Sequence, residues 1–190
     1  MATLVPDEVI LGLLKAQPAH GYELLDYFRS YAQLGRIWTM STSQIYAVLK
    51  RLEREGTIVG REVAALNAPP RIEYEVTSQG NIRLDAWLFA SKPSPSIHRI
   101  RVLFLSRIFI ANLLKIPFKP IVDAQIASCE AQKILFEDKL RTKGTDIELL
   151  TIDFIIRQLN SAILWLKESN FEVEVHQKDK LLKGNGSESK

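Results

Sequence analysis

STSQIYAVLKRLEREGTIV, residues 41–59, reads as a capped amphipathic helix that runs straight into a β-strand. Ser41, Thr42 and Ser43 supply N-caps, and Gly56 supplies a residue that can take the left-handed conformation at the far end. Ile45, Val48, Leu49 and Leu52 recur at i, i+3, i+4 and i+7, one apolar stripe for a core. Ser43, Gln44, Ala47, Lys50, Arg51 and Arg54 are assigned to the opposite face, with Tyr46 at its edge beside Lys50. After Gly56 the period changes from helical to extended. Thr57-Ile58-Val59 opens one strand, and Arg71 to Val76 alternate polar and apolar with period two. Asn67-Ala68-Pro69-Pro70 between them is expected to be the loop tip of a hairpin.

Working outward, Pro6 starts a first helix whose stripe is Val9, Ile10, Leu13 and Leu14, ended by Gln17-Pro18. A second helix is expected from about Ala19 through Tyr31, and Ala32 to Met40 reads as a loop. Past the hairpin, Thr77 or Ser78 caps a helix carrying Ile82, Leu84, Trp87 and Leu88. The Pro/Ser-rich run 91–96 is the one clear boundary. Everything beyond it reads as helix: 97–114, then from Pro117 or Pro120 to about Lys143, then 145–168. The expected fold class is α+β, mostly α. A winged helix-turn-helix domain over 1–90 is followed by an α-helical dimerisation domain over 97–170 and a polar tail over 171–190.

Three helices and a two-stranded wing are a DNA-reading arrangement in which the third helix enters the major groove. Gln44 suits adenine, Ala47 a thymine methyl, Arg51 a guanine or phosphate, and Lys50 and Arg54 phosphates. Ser41, Thr42 and Ser43 begin the helix, where backbone amides can meet a phosphate. Tyr22, at the start of helix two, and Asn67 and Arg71, on the wing, complete the expected DNA-binding set. Any amphipathic helix has a polar face; the hairpin that follows is what directs this one to DNA.

These residues resemble one family. VILGLL (9–14), Pro18, HGYEL (20–24), STSQIYAVLKRLEREGTIV (41–59) and YEVTSQG (74–80), in that order, are similar to the PadR-like transcriptional regulators. The resemblance implies cytosolic homodimers, usually repressors, whose third helix reads the major groove while the wing tracks the backbone. Tyr46 matches the family's tyrosine in that helix, and Gly21-Tyr22 its Gly-Tyr at the start of helix two. Ser43-Gln44 stand where the family usually has Gly-Thr, and Ala47 where it usually has Pro; both changes bear on operator sequence. RVLFLSRIF (101–109), a helix around Cys129 to Leu140, and ILWLKE (163–168) are similar to the longer, virulence-activator-like subfamily.

In the last helix Leu149, Ile152, Ile156, Leu159, Ile163 and Leu166 alternate steps of three and four and are assigned to dimerisation. Leu150, Phe154 and Ile155 add a second apolar surface, so this helix needs two partners. Trp87, near the junction of the two halves, is the expected wall of a pocket for a small aromatic effector.

Charge distribution qualifies this reading. The chain carries a net +3, yet residues 1–90 hold nine Lys/Arg against ten Asp/Glu, so a local face must meet DNA. That near-neutral balance motivates a rival reading, a winged-helix protein-interaction module, against which Lys50, Arg51 and Arg54 argue. An enzyme is not expected. Ser41 to Ser43 lack a nucleophile-elbow motif, His20 lacks a partner, and Glu137-Asp138 beside Lys139 is a solvated face. Cys129 is the only cysteine and the three histidines lack ligand spacing, so no metal or cofactor is expected. Arg99, Arg101 and Arg107 interrupt the apolar stretch after the boundary, and MATLVPDEV carries no leader pattern. A cytoplasmic protein without a membrane span is therefore expected.

Overall fold

The computed structural model describes residues 4–65, 68–141, 144–169 and 171. In chain order the elements are α1 (Asp7–Ala16), β1 (Ala19–His20), α2 (Gly21–Arg29), α3 (Thr42–Arg54), β2 (Ile58–Ala65), β3 (Ala68–Val76) and α4 (Ser78–Leu88). Then come α5 (Ile97–Arg99), a π-helical turn (Ile100–Phe104), α6 (Leu105–Leu113), α7 (Lys119–Leu140) and α8 (Asp146–Glu168). The architecture is α+β and mostly α, a winged helix-turn-helix followed by long helices. Two compact units are present, one formed up to Ala90 together with Arg101–Ile116, the other by Ser91–Ile100 together with the chain from Pro117 onward.

The first unit follows the hydrophobic pattern. Val9, Ile10, Leu13 and Leu14 of α1, Leu24 and Leu25 of α2, and Ile45, Leu49 and Leu52 of α3 are all buried. The sheet has the order β1-β3-β2, antiparallel throughout, with Ile58 opposite Val76 and Gly60 opposite Tyr74. Two expectations are corrected here. Helix two begins at Gly21 rather than Ala19, because Ala19 and His20 pair with Tyr74 and Glu73 as a third strand. A hydrogen bond from the His20 amide to Glu23 Oε2, 2.8 Å, then starts the helix. The strands of the wing are also longer than alternation suggested. β3 starts at Ala68, so Pro69 and Pro70 lie in its first turns, where a strand tolerates the loss of an amide donor.

Gly56 takes φ +68°, the left-handed cap that ends α3 and releases the chain into β2. Thr77 Oγ1 then donates to the Gly56 carbonyl, 2.7 Å, and accepts from the Gly80 amide, 3.2 Å. One threonine thus joins the end of the recognition helix to the start of α4.

The domain boundary differs from expectation as well. α6 packs on α1 inside the first unit instead of joining a helical domain over 97–170. Trp38 Nε1 donates to Ser106 Oγ at 2.8 Å, and Tyr27 meets Phe109 edge-on with centroids 6.3 Å apart. Arg107 Nε donates to the Trp87 carbonyl at 2.8 Å while its guanidinium sits 5.3 Å from the centre of the Trp87 ring. Burial lowers the Arg107 pKa. An apolar helix carries no label saying which neighbour it covers, so its allegiance is invisible in sequence. The division between the units falls inside the helical run 97–113, where Ser106 Oγ donates back to the Val102 carbonyl at 2.7 Å.

In the second unit α7 and α8 pack as a hairpin. Ile121, Gln125 and Cys129 of α7 face Ile152, Ile156, Leu159 and Leu166 of α8, all buried. Gln125 Nε2 donates to the Ser94 carbonyl at 3.0 Å, tying the Pro/Ser segment to α7. Of the six residues assigned to dimerisation, Ile152, Ile156, Leu159 and Leu166 are buried within the chain, while Leu149 and Ile163 are half-buried. The opposite face of α8 is open, with Ile147 at 70%, Leu150 at 64% and Phe154 at 58% exposed. Among the described residues α8 alone is long and apolar enough to cross a membrane by length and composition, although it carries an Arg157–Asp153 ion pair at 2.7 Å mid-helix. The expected polar tail, 171–190, lies outside the described residues apart from Phe171.

Candidate nucleic-acid interface

α3 is built to stand on one stripe and show another. A capping box closes its start, with Ser41 Oγ accepting from the Gln44 amide at 3.3 Å and Gln44 Oε1 accepting from the Ser41 amide at 2.8 Å. Ile45, Val48, Leu49 and Leu52 enter the core at 5% exposure or less. At ~100° per residue, Ser43, Ala47, Lys50 and Arg54 lie roughly 150–170° from the centre of that stripe. All four are exposed. Among the described residues neither Lys50 nor Arg54 makes an ion pair, so both charges are available to an anionic partner.

Both flanks of the helix are held. Glu53 Oε1 accepts from the Gly60 amide at 3.1 Å, fastening α3 to the wing. The Tyr46 ring lies against Gly21, where a Cβ would come within 2.9 Å of its Cε1 and Cζ. On the other flank Arg51 Nε donates to Asp7 Oδ2 at 3.1 Å, and its Nη2 pairs with Asp7 Oδ1. Between these anchors the ridge of residues 43, 47, 50 and 54 is what remains to be read out.

Two residues expected to contact DNA, Arg51 and Gln44, hold partners within the chain. Arg51 sits about 110° from the stripe, at the helix edge rather than opposite the core. There it meets the buried Asp7 carboxylate, and hydrogen bonding to that carboxylate raises its pKa above the ordinary guanidinium value. Gln44 lies about 90° from the stripe. Its Oε1 is committed to the cap, so bidentate pairing with adenine requires giving that bond up. Ser41 and Ser43 are exposed at the helix start with their hydroxyls 3.0 Å apart, and Thr42 is half-buried beside them.

Tyr22 is exposed on α2, and Arg71 is exposed on β3. Arg61 on β2 is instead paired with Glu75 at 2.5 Å. Asn67 lies outside the described residues. Trp87 is half-buried, with the Arg107 guanidinium over its ring. An acidic cluster that the sequence reading does not include also lies beside α3, where Asp7, Glu8 and Glu55 surround Arg51 and Arg83. Only the acidic first turn of α1 hinted at it, and that pattern equally marks an ordinary helix start. Among the described residues no cluster of three His, Cys, Asp or Glu is placed to hold a metal ion.

The family model described as "Transcriptional regulator PadR-like family" matches residues 10–86. The "Negative transcriptional regulator PadR" of Bacillus subtilis (strain 168) is 36% identical over 86 residues, 45% of this chain and 46% of that protein. The chain thus matches about half the length of that curated relative. Among solved structures, Bacillus subtilis PadR in complex with operator DNA is 21% identical, with a TM-score of 0.46 over 88% of this chain and 97% of that one. The same protein in complex with p-coumaric acid is 23% identical, with a TM-score of 0.40 over 85% and 91%.

Proposed function

We propose that the chain, whose residues 10–86 match the PadR-like transcriptional regulators, is a homodimeric, non-enzymatic repressor that binds double-stranded DNA in the cytoplasm. The observation carrying this is the exposed ridge of α3, two small residues and two cations without an ion pair among the described residues, on a helix anchored along both flanks. Lys50 and Arg54 meet phosphates, Ala47 packs on a thymine methyl, and the start of α3 presents amides to the backbone. Tyr22 and Arg71 extend the footprint onto α2 and the wing. Repression follows the name of the curated relative, a negative regulator.

Two copies would present two recognition helices to successive major grooves about 34 Å apart. The open apolar face of α8 supplies the surface for pairing, in place of the 3-4 seam that α7 covers. An aromatic effector remains part of the proposal, since a PadR relative binds p-coumaric acid. Trp87 would then report on it through Arg107 rather than wall the pocket.

The test is a mobility shift of the full-length protein on duplex DNA from upstream of its own gene. The proposal expects a complex that survives excess unrelated duplex and weakens linearly in log affinity against log salt. No retardation, or equal affinity for every duplex, would favour the protein-interaction module.

A further inference from the structure

Asp7 is the first residue of α1, and its side chain is only 4% exposed. A carboxylate removed from water in this way is costly unless it is paired and hydrogen-bonded. Here both oxygens are engaged, Oδ1 by Arg51 and Oδ2 by Arg51 Nε and Arg83 Nη2, each of the latter at 3.1 Å. Arg83, from α4, continues the network to Glu8 Oε1 at 2.9 Å and to Glu55 Oε2 at 2.8 Å. Glu55 is the C-cap residue of α3. One cluster therefore joins the start of α1, the middle of α4 and the last turn of α3.

Its contribution is more directional than energetic. α3 is already seated by four core residues, and a buried ion pair adds little over an apolar filling of equal volume. A planar guanidinium forked onto a carboxylate fixes an angle, which a single-point contact cannot. The cluster holds three carboxylates against two guanidiniums, so that flank of α3 carries no positive charge to offer a phosphate. The free cations lie on the neighbouring ridge, at Lys50 and Arg54.

We propose that Asp7 and Arg83 are positioning residues for DNA reading, holding Arg51 so that it sets the angle of the recognition helix without touching DNA. This rests on the functional reading above. It departs from any scheme in which Arg51 contacts a base or phosphate.

The test compares Arg51→Gln, Asp7→Asn and their double variant in the full-length chain, with Arg54→Ala as the reference for a direct contact. Affinity is measured for the upstream duplex and an unrelated duplex across a salt series. Arg54→Ala is expected to shrink the salt slope by about 0.9. Arg51→Gln removes the same charge, yet its slope should stay at the wild-type value. Its preference for the upstream duplex should fall about tenfold, the discrimination that one base pair carries. Asp7→Asn leaves Arg51 charged and should produce the same loss, and the double variant should be no worse than either single. A slope reduced by about 0.9 in Arg51→Gln, wild-type preference in Asp7→Asn, or additive losses in the double would each overturn the positioning role. Should Arg51→Gln not fold, Asp7→Asn decides alone. A wild-type chain that binds no duplex refutes the functional reading instead, a result separate from these.

Discussion

Phe154→Glu is expected to turn the full-length chain from a dimer into a monomer at micromolar concentration while leaving its fold intact. Phe154 stands on the open side of α8 with Ile147 and Leu150, at spacings of i, i+3 and i+7. Burying a phenylalanine contributes about 1.5–3 kcal/mol. In a two-fold interface the same residue counts twice, so its loss costs roughly 3–6 kcal/mol and raises the dissociation constant at least about a hundredfold. Glutamate adds the desolvation of two carboxylates. Because Phe154 is 58% exposed in the single chain, thermal unfolding of the monomer should barely change. Leu159→Ala provides the contrast. Leu159 is packed against α7, so that change should cost about 2–5 kcal/mol of stability through the cavity it leaves. Sedimentation and urea unfolding separate the two. A dimeric Phe154→Glu variant, or a monomeric wild type, would refute pairing through this face.

The second large effect belongs to the ridge. Replacing Lys50 and Arg54 together by alanine should lower affinity for the upstream duplex about a hundredfold or more, at about 1.5–3 kcal/mol per charged hydrogen bond. The salt slope should shrink by about 1.8, as two phosphate contacts are lost. Stability should stay within about 0.5 kcal/mol, because both side chains are exposed and neither is ion-paired among the described residues. Isothermal affinity measurements at several salt concentrations, beside a melting curve, read all three quantities. Wild-type affinity in the double variant would mean that the ridge is merely solvated.

What could be read from the residues, and what could not, divides along a physical line. Ile45, Val48, Leu49 and Leu52 announce their burial by spacing, and Ser41 and Gly56 announce the ends of α3 by backbone chemistry that is local. Thr77 and Gly80 mark the start of α4 for the same reason. Failures occur where a residue's role depends on something distant in sequence. Arg51 lies at a helix edge, an angle that suits DNA or a neighbour equally, and its hydrogen-bond partner Asp7 lies forty-four positions away. The seam of α8 has the pattern of a dimer interface, but α7 lies within reach and covers it. Ala19 and His20 look like the first turn of α2 until β3 arrives to pair with them. Trp87 is an aromatic of the kind that often lines a pocket, and the cation that lies over its ring comes from α6, twenty residues on. Periodicity tells that a face is buried; it does not tell by what.

In the proposed complex the ridge of α3 enters the major groove. Dimethyl sulfate protection reads this directly, because it methylates guanine N7 in the major groove and adenine N3 in the minor groove. With wild-type protein on its upstream duplex, guanine protection is expected in two patches about 10 base pairs apart. Both patches should vanish with the Lys50→Ala/Arg54→Ala variant at equal protein concentration. Bound DNA whose guanines remain fully reactive, with protection confined to adenines, would contradict it.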